Sequence, residues 1–449
     1  MIFNKTMILG GVIAALMAGS ALAKVSPEEA AKLGESLTPI GAEKAGNAEG
    51  TIPAWTGGLK EGPDGSDFAN PFPDEQPKFV IDQSNVDQYA DKLSAGQVAM
   101  IRKYSTYKIP VYETHRTAAY TDEIYAIARK NAENAELVPG GNGLTGFETT
   151  FAFPIPESGL EVIWNHITRW RGGSFSRRVA QVTPLANGAY TPVIFDEAVV
   201  LPTELVDYNP EDQANMLFYF KQSIESPARL AGNVLLVHET LNQVKEGRRA
   251  WVYNAGQRRV RRAPQVAYDG PGTAADGMRT TDNFDMFNGA PDRYNWKLVG
   301  KKEMYIPYNS YDLMSSDLSY DDVVKPGHIN QDLTRYELHR VWVVEATLKE
   351  GERHVYGKRV FYFDEDTWAA SVIDHYDGRG ELWRVAESHN VYFYNQQVPW
   401  TAVEVLYDLL SGRYLALGLV NEIDNAYQFD IRRSSNDFTP AALRREGQR

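Results

Sequence analysis

Between residues 147 and 432, apolar and polar positions mostly alternate with a period of two, and the apolar ones are rich in aromatic and β-branched side chains. Successive side chains of a strand point to opposite faces, so this pattern commits most of the chain to half-buried β-strands. Strands are expected near 174–183, 190–200, 215–224, 233–243, 249–254, 258–263, 296–306, 337–348, 354–363, 369–376, 381–387, 390–397, 402–408 and 413–422. Turn signals at Lys349–Glu352, Asp364–Asp366 and Asp377–Gly380 separate consecutive strands, which makes the C-terminal third an antiparallel meander. The polar, glycine-rich stretch 264–294 reads as a long loop crossing the sheet. No repeat of fixed period occurs, which argues against a propeller or solenoid.

Three zones precede this β body (147–449). Residues 1–23 carry Lys5, an apolar run from Met7 to Met17 and the small-residue ending Ala21-Leu22-Ala23, the pattern of a secretory signal peptide cleaved after Ala23. The apolar run is shorter than the roughly 20 residues that span a bilayer. No cysteine follows the cleavage point, so a periplasmic destination without a lipid anchor is expected. Residues 24–80 are rich in Gly, Pro, Asp and Glu and read as an extended arm on the body, after a short helix at Pro27–Gly34. Residues 81–146 form a helical segment, with helices expected over Val86–Tyr104 and Asp122–Ala135, packing on the sheet. A further helix is expected at Gly159–Thr168.

The chain has no cysteine, which excludes disulfides, thiolate metal sites, c-type haem and thiol catalysis. A net charge of −13 disfavours nucleic acid as a partner. The eight histidines show no His-x-x-x-His or Glu-x-x-His spacing, and no nucleophile elbow, phosphate loop or dinucleotide fingerprint is present. No cofactor or metal is therefore expected. The carboxylate pairs Asp364/Asp366 and Asp321/Asp322 fall in turns, where acidic residues serve the local backbone.

Against that acidic background the segment Arg248–Pro264 holds six arginines and reads as a β-hairpin. A turn centred on Ala255-Gly256 sets Trp251 opposite Val260 and Tyr253 opposite Arg258. Trp251, Tyr253 and Val260 then share one face, and Val252, Arg259 and Arg261 the other. The functional reading lines an apolar cavity with Phe218, Phe220, Trp251, Tyr253, Trp342 and Phe361, and turns Arg259 and Arg261 outward to a partner. The structural alternative is an edge hairpin whose arginines pair with nearby carboxylates, and aromatics that pack on the protein's own helices.

Phe153–Pro156, Gly159–His166, Arg169–Gly172, the Arg248–Pro264 hairpin, Asn288–Trp296, Tyr305–Asn309 and Asp377–Arg384 together resemble an exported Gram-negative family of unknown function, described as similar to outer-membrane lipoprotein-sorting proteins. The resemblance covers nearly the whole exported chain. It implies the fold of the lipoprotein localisation factors: mainly β, a large curved unclosed antiparallel sheet, a half-barrel, with N-terminal helices covering its concave side. It also implies a setting among RND-type exporters and outer-membrane β-barrels. The function expected is a periplasmic carrier or chaperone that binds a lipid or other apolar small molecule on the concave sheet. An accessory protein docking on such an exporter or barrel through Arg259 and Arg261 is the second reading. An enzyme acting on envelope glycans or lipids is the third.

Overall fold

The protein, described here as a computed structural model, is defined over residues 25–63, 69–264, 266 and 268–447. The expected signal peptide lies outside these residues. Sixteen strands form one sheet. From edge to edge its path runs Phe79–Ile81, Ile109–Val111, Tyr336–Leu348, Lys358–Asp364, Ala370–Tyr376, Leu382–Phe393, Val398–Asp408, Tyr414–Leu419, Phe175–Val182, Val193–Val200, Met216–Ser226, Val234–Thr240, Arg249–Asn254 and Arg259–Arg262. Tyr294–Pro307 pairs with Tyr336–Leu348 off this path, and Tyr427–Phe429 pairs with Phe175–Val182. The pairings are antiparallel except where Val111 meets Tyr336. The first and last strands of the path do not meet, so the sheet is unclosed and mainly antiparallel, as expected.

Two elements depart from the alternation pattern. The strands expected at 381–387 and 390–397 are one strand, Leu382–Phe393, with a register shift between His389 and Asn390. A bulge of this kind reverses the inward-outward phase, so continuous pairing imitates a break in the sequence pattern. The helix expected over Val86–Tyr104 is divided. Ser94 caps a separate helix, Ala95–Lys103, by accepting from the Gln97 amide while the Gln97 side chain bonds back to Ser94.

Cross-strand pairing sorts the sheet into two faces. The inner face bears the helix Gly159–Thr168 and the loop 264–294. His166 ties these together: its Nδ1 accepts from the Ala370 amide at 3.1 Å, which assigns the Nε2 proton to the Asp285 carbonyl at 3.0 Å. Burial pushes His166 down to about 3, helped by the neighbouring Arg169 charge, so the ring is neutral. The outer face carries Ala95–Lys103, whose Ser94 and Gly96 both bond the Asp374 carboxylate, and, at the far end, the C-terminal helix Pro440–Glu446. Thus the inner covering comes from Gly159–Thr168 and the loop, whereas Ala95–Lys103 of the 81–146 segment lies on the opposite side. The arm 24–80 is held by buried arginines: Arg116 and Arg340 donate to the carbonyls of Glu43, Lys44 and Ala45.

Candidate functional site

One part of the inner face is filled by the protein itself. Phe361 is fully buried against Phe287, Trp296 and Phe363, with centroid separations of 5.8, 5.5 and 5.6 Å. Trp342 stacks on Trp368 at 6.0 Å beneath Lys301, whose ammonium lies 4.7 Å from its ring. Neither residue lines the cavity on this face: Phe361 is enclosed by loop and strand aromatics, and Trp342 is half-buried between Trp368 and Lys301.

The other part encloses a cavity of about 150 Å³. Its walls include Phe218 and Phe220 of Met216–Ser226, Leu235 and Val237 of the next strand, Trp400 and Leu417 from the far strands, and Phe284 from the loop. Adjacent strands lie about 4.8 Å apart, so side chains from strands this widely spaced meet around one space only if the sheet is strongly curved. The inner face is therefore the concave one.

The hairpin contributes differently from the expected arrangement. Its register is Asn254 with Arg259, Tyr253 with Val260, Val252 with Arg261 and Trp251 with Arg262, two residues from the expected pairing. The turn therefore spans Ala255–Arg258, with Arg258 left-handed at φ 53°, rather than centring on Ala255-Gly256. A shift of two keeps every side chain on its face, so Trp251, Tyr253 and Val260 do lie together. That face is the outer one. Tyr253, 1% exposed, packs with Tyr219, Phe438 and Leu443 under the C-terminal helix, and Trp251 and Val260 flank this cluster. Trp251 and Tyr253 thus do not line this cavity, because the chain's own last helix occupies their face. Arg259 and Arg261 lie on the inner side with Val252, exposed at the sheet's open edge, and form no ion pair among the described residues.

Beneath the apolar walls lies a buried polar floor that sequence reasoning missed. Arg177 donates to Glu197 at 2.6 Å, and Gln222 donates to the other oxygen of Glu197 at 2.6 Å. Arg248 pairs with Glu239. Asp285 takes both Arg169 and Arg171; burial alone would raise its pKa, but these two cations hold it well below the carboxylate range. Glu404 behaves oppositely. Burial raises it to about 7 against the opposing charge of Arg279. The signal that could have found Glu404 is a lone carboxylate inside an apolar run, Ala402-Val403-Glu404-Val405-Leu406; in Val193–Val200, Glu197 is the inward-facing member of an Asp196-Glu197 pair.

The other clustered carboxylates have local structural partners. His339, Asp364 and Asp366 bring ligand atoms within 4.8 Å of one another. However, Arg116 grips both oxygens of Asp366 at 2.6 and 2.8 Å, while Asp364 accepts from Thr367 and the Asp366 amide. Asp322 caps its own turn through Ser319.

Comparison with known proteins agrees with the sequence resemblance. Residues 80–444 match the family described as a protein of unknown function, DUF1329. The chain belongs to that family. It is 64% identical over 452 residues to the uncharacterized protein PA3922 of Pseudomonas aeruginosa, covering 99% of each chain. Among solved structures, an outer membrane lipoprotein-sorting domain from Vibrio parahaemolyticus is similar at 13% identity, covering 64% of this chain and 98% of that one with a TM-score of 0.43. The LolA superfamily protein NE2245 of Nitrosomonas europaea is similar at 14% identity, covering 63% and 98%, with a TM-score of 0.37. Among the described residues of this DUF1329 protein, no helix is long and apolar enough to cross a membrane.

Proposed function

We propose that this DUF1329 protein is a periplasmic carrier that holds a lipid or similarly apolar molecule in the inner-face cavity and serves envelope transport. The observation that carries this reading is the cavity itself: Phe218, Phe220, Leu235, Val237 and Trp400 face a space roofed by a loop instead of a second sheet. Burying roughly 200 Å² of alkyl surface there gains about 5 kcal/mol before entropy losses, at about 25 cal/mol per Å². Pockets that hold drug-sized ligands measure about 300–1,000 Å³, larger than the cavity here. A long chain therefore enters as the loop lifts, which makes 268–294 the lid. The lid is pinned by ion pairs, Asp285 to Arg169 and Arg171, and Asp282 to Arg359 at 2.9 Å.

The test is Leu235→Trp, which places an indole in the cavity. A saturable one-to-one complex with an apolar fluorescent probe is expected for the wild type, and loss of that complex at nearly unchanged melting temperature for the variant. Equal binding by both would place the ligand elsewhere.

The open edge supports a second reading. Arg258, Arg259, Arg261 and Arg262 are exposed, and among the described residues none lies within ion-pair distance of a carboxylate. Such an edge suits an acidic partner surface, as on an RND-type exporter or outer-membrane β-barrel protein. Arg259→Glu with Arg261→Glu should then abolish a salt-sensitive complex while leaving probe binding intact.

A further inference from the structure

Six arginine residues are buried among the described residues: Arg116, Arg279, Arg335, Arg340, Arg359 and Arg384. Five of them have a carboxylate in contact. Arg116 meets Asp366, Arg335 meets Glu337, Arg340 meets Glu365, Arg359 meets Asp282 and Arg384 meets Asp408, all at 2.6–3.0 Å. This is the usual outcome, because an uncompensated buried cation is expensive.

Arg279 is the exception. It is 3% exposed, sits in the lid and lines the cavity. Among the described residues its polar contact is a long one, Nη2 to Gln181 Oε1 at 3.5 Å, and its Nε has no partner. Phe284 lies against the guanidinium at 5.1 Å. The two nearby carboxyl groups do not compensate it. Glu197 already accepts from Arg177 and Gln222. Glu404 is more than ion-pair distance away and is pushed toward the neutral form by burial. A guanidinium presents five N–H donors in a planar fork suited to carboxylate and phosphate oxygens. Here that fork lines a space whose apolar wall is Phe218, Phe220, Leu235 and Val237, and the carboxylates that share its polar floor, Glu197, Glu239 and Asp285, are taken by other arginines.

We infer that Arg279 is the receptor for the anionic head of the carried molecule, and that the ligand is an amphiphile with a carboxylate or phosphate-monoester head whose chain lies along the aromatic wall. The inference rests on the carrier reading and narrows its ligand class. It also gives the lid a function beyond covering: the ligand's charge holds the lid down through Arg279.

The test compares ligands of one chain length, each below its micelle concentration: dodecanoate, dodecyl phosphate, dodecanol and dodecylamine, displacing an apolar probe from the full exported chain. Wild type should bind at least one of the two anions tenfold or more tighter than dodecanol, and the tighter of the two identifies the head. Arg279→Gln should bind anion and alcohol alike, and Arg279→Lys should keep part of the preference. The favoured anion should raise the melting temperature of wild type more than that of Arg279→Gln. Dodecanol or dodecylamine binding wild type as tightly as both anions would overturn the inference while leaving the carrier reading standing. An anion preference that survives in Arg279→Gln would overturn Arg279's role. Failure of all four to displace the probe would overturn both readings.

Discussion

At Glu404 a carboxyl group titrates near neutrality because burial outweighs the nearby Arg279 charge. The folded chain then holds a proton that the unfolded chain releases around its ordinary value of 4.5. The sign follows from linkage: stability from this group is present below about pH 4.5 and is lost as pH rises through about 7. Glu404→Gln should be insensitive in that window, so its stability relative to wild type should grow from pH 5 to pH 8, by on the order of 3 kcal/mol. Denaturant melts at several pH values read this directly, and a difference that does not change with pH would contradict it. Two aromatic residues separate stability from binding. Tyr253→Ala should cost about 3–5 kcal/mol and leave probe affinity unchanged, since Tyr253 sits under the C-terminal helix. Phe220→Ala should weaken both. Which side chains of a hairpin share a face was legible from period-two spacing; which of the two faces lines the cavity and which the C-terminal helix covers was not. That depends on Phe438 and Leu443 returning from a great distance in sequence to pack on Tyr219 and Tyr253.

Among the elements, the strands were the most legible, because alternation is a local property. The helix Gly159–Thr168 also followed the pattern, with Ser158 and Glu161 forming the cap that starts it. The failures have local causes. The bulge between His389 and Asn390 resets the alternation within a continuous strand, and the Ser94–Gln97 box restarts a helix inside an amphipathic run. Composition marks 264–294 as a loop crossing the sheet, but the proposed role of its described part as a lid depends on Asp282 and Asp285 finding arginines on other elements. Asp285→Asn removes one partner of a charge cluster that is about one-fifth exposed, so the lid should loosen by about 2–3 kcal/mol, somewhat less than for a fully buried pair. Hydrogen exchange at Phe284–Asn288 should accelerate strongly, while that of Val343–Ala346 stays at the wild-type rate. Equal acceleration in both would mean that Asp285 supports the whole fold instead of the lid.

For the whole molecule, antiparallel strands were readable from patterning, and the family, with the unclosed sheet it implies, from motifs spread over nearly the full exported length. The cavity's polar floor was not, because it gathers Arg177, Glu197, Arg279 and Glu404 from separate strands and a loop. Export belongs to the same scale. The protein is expected in osmotic-shock fluid beginning at Lys24, and recovery only in membranes with residues 1–23 attached would contradict it. The central claim is that the concave face, and not the helix-covered outer one, holds an apolar ligand. Photo-crosslinking with a diazirine-bearing fatty acid, mapped by peptide mass spectrometry, tests it most directly. Saturable labelling should fall on peptides containing Phe218–Phe220 and Leu235–Val237 and be competed by unlabelled ligand. Labelling confined to the C-terminal helix or to the arginine strand, or labelling that never saturates, would contradict the carrier reading.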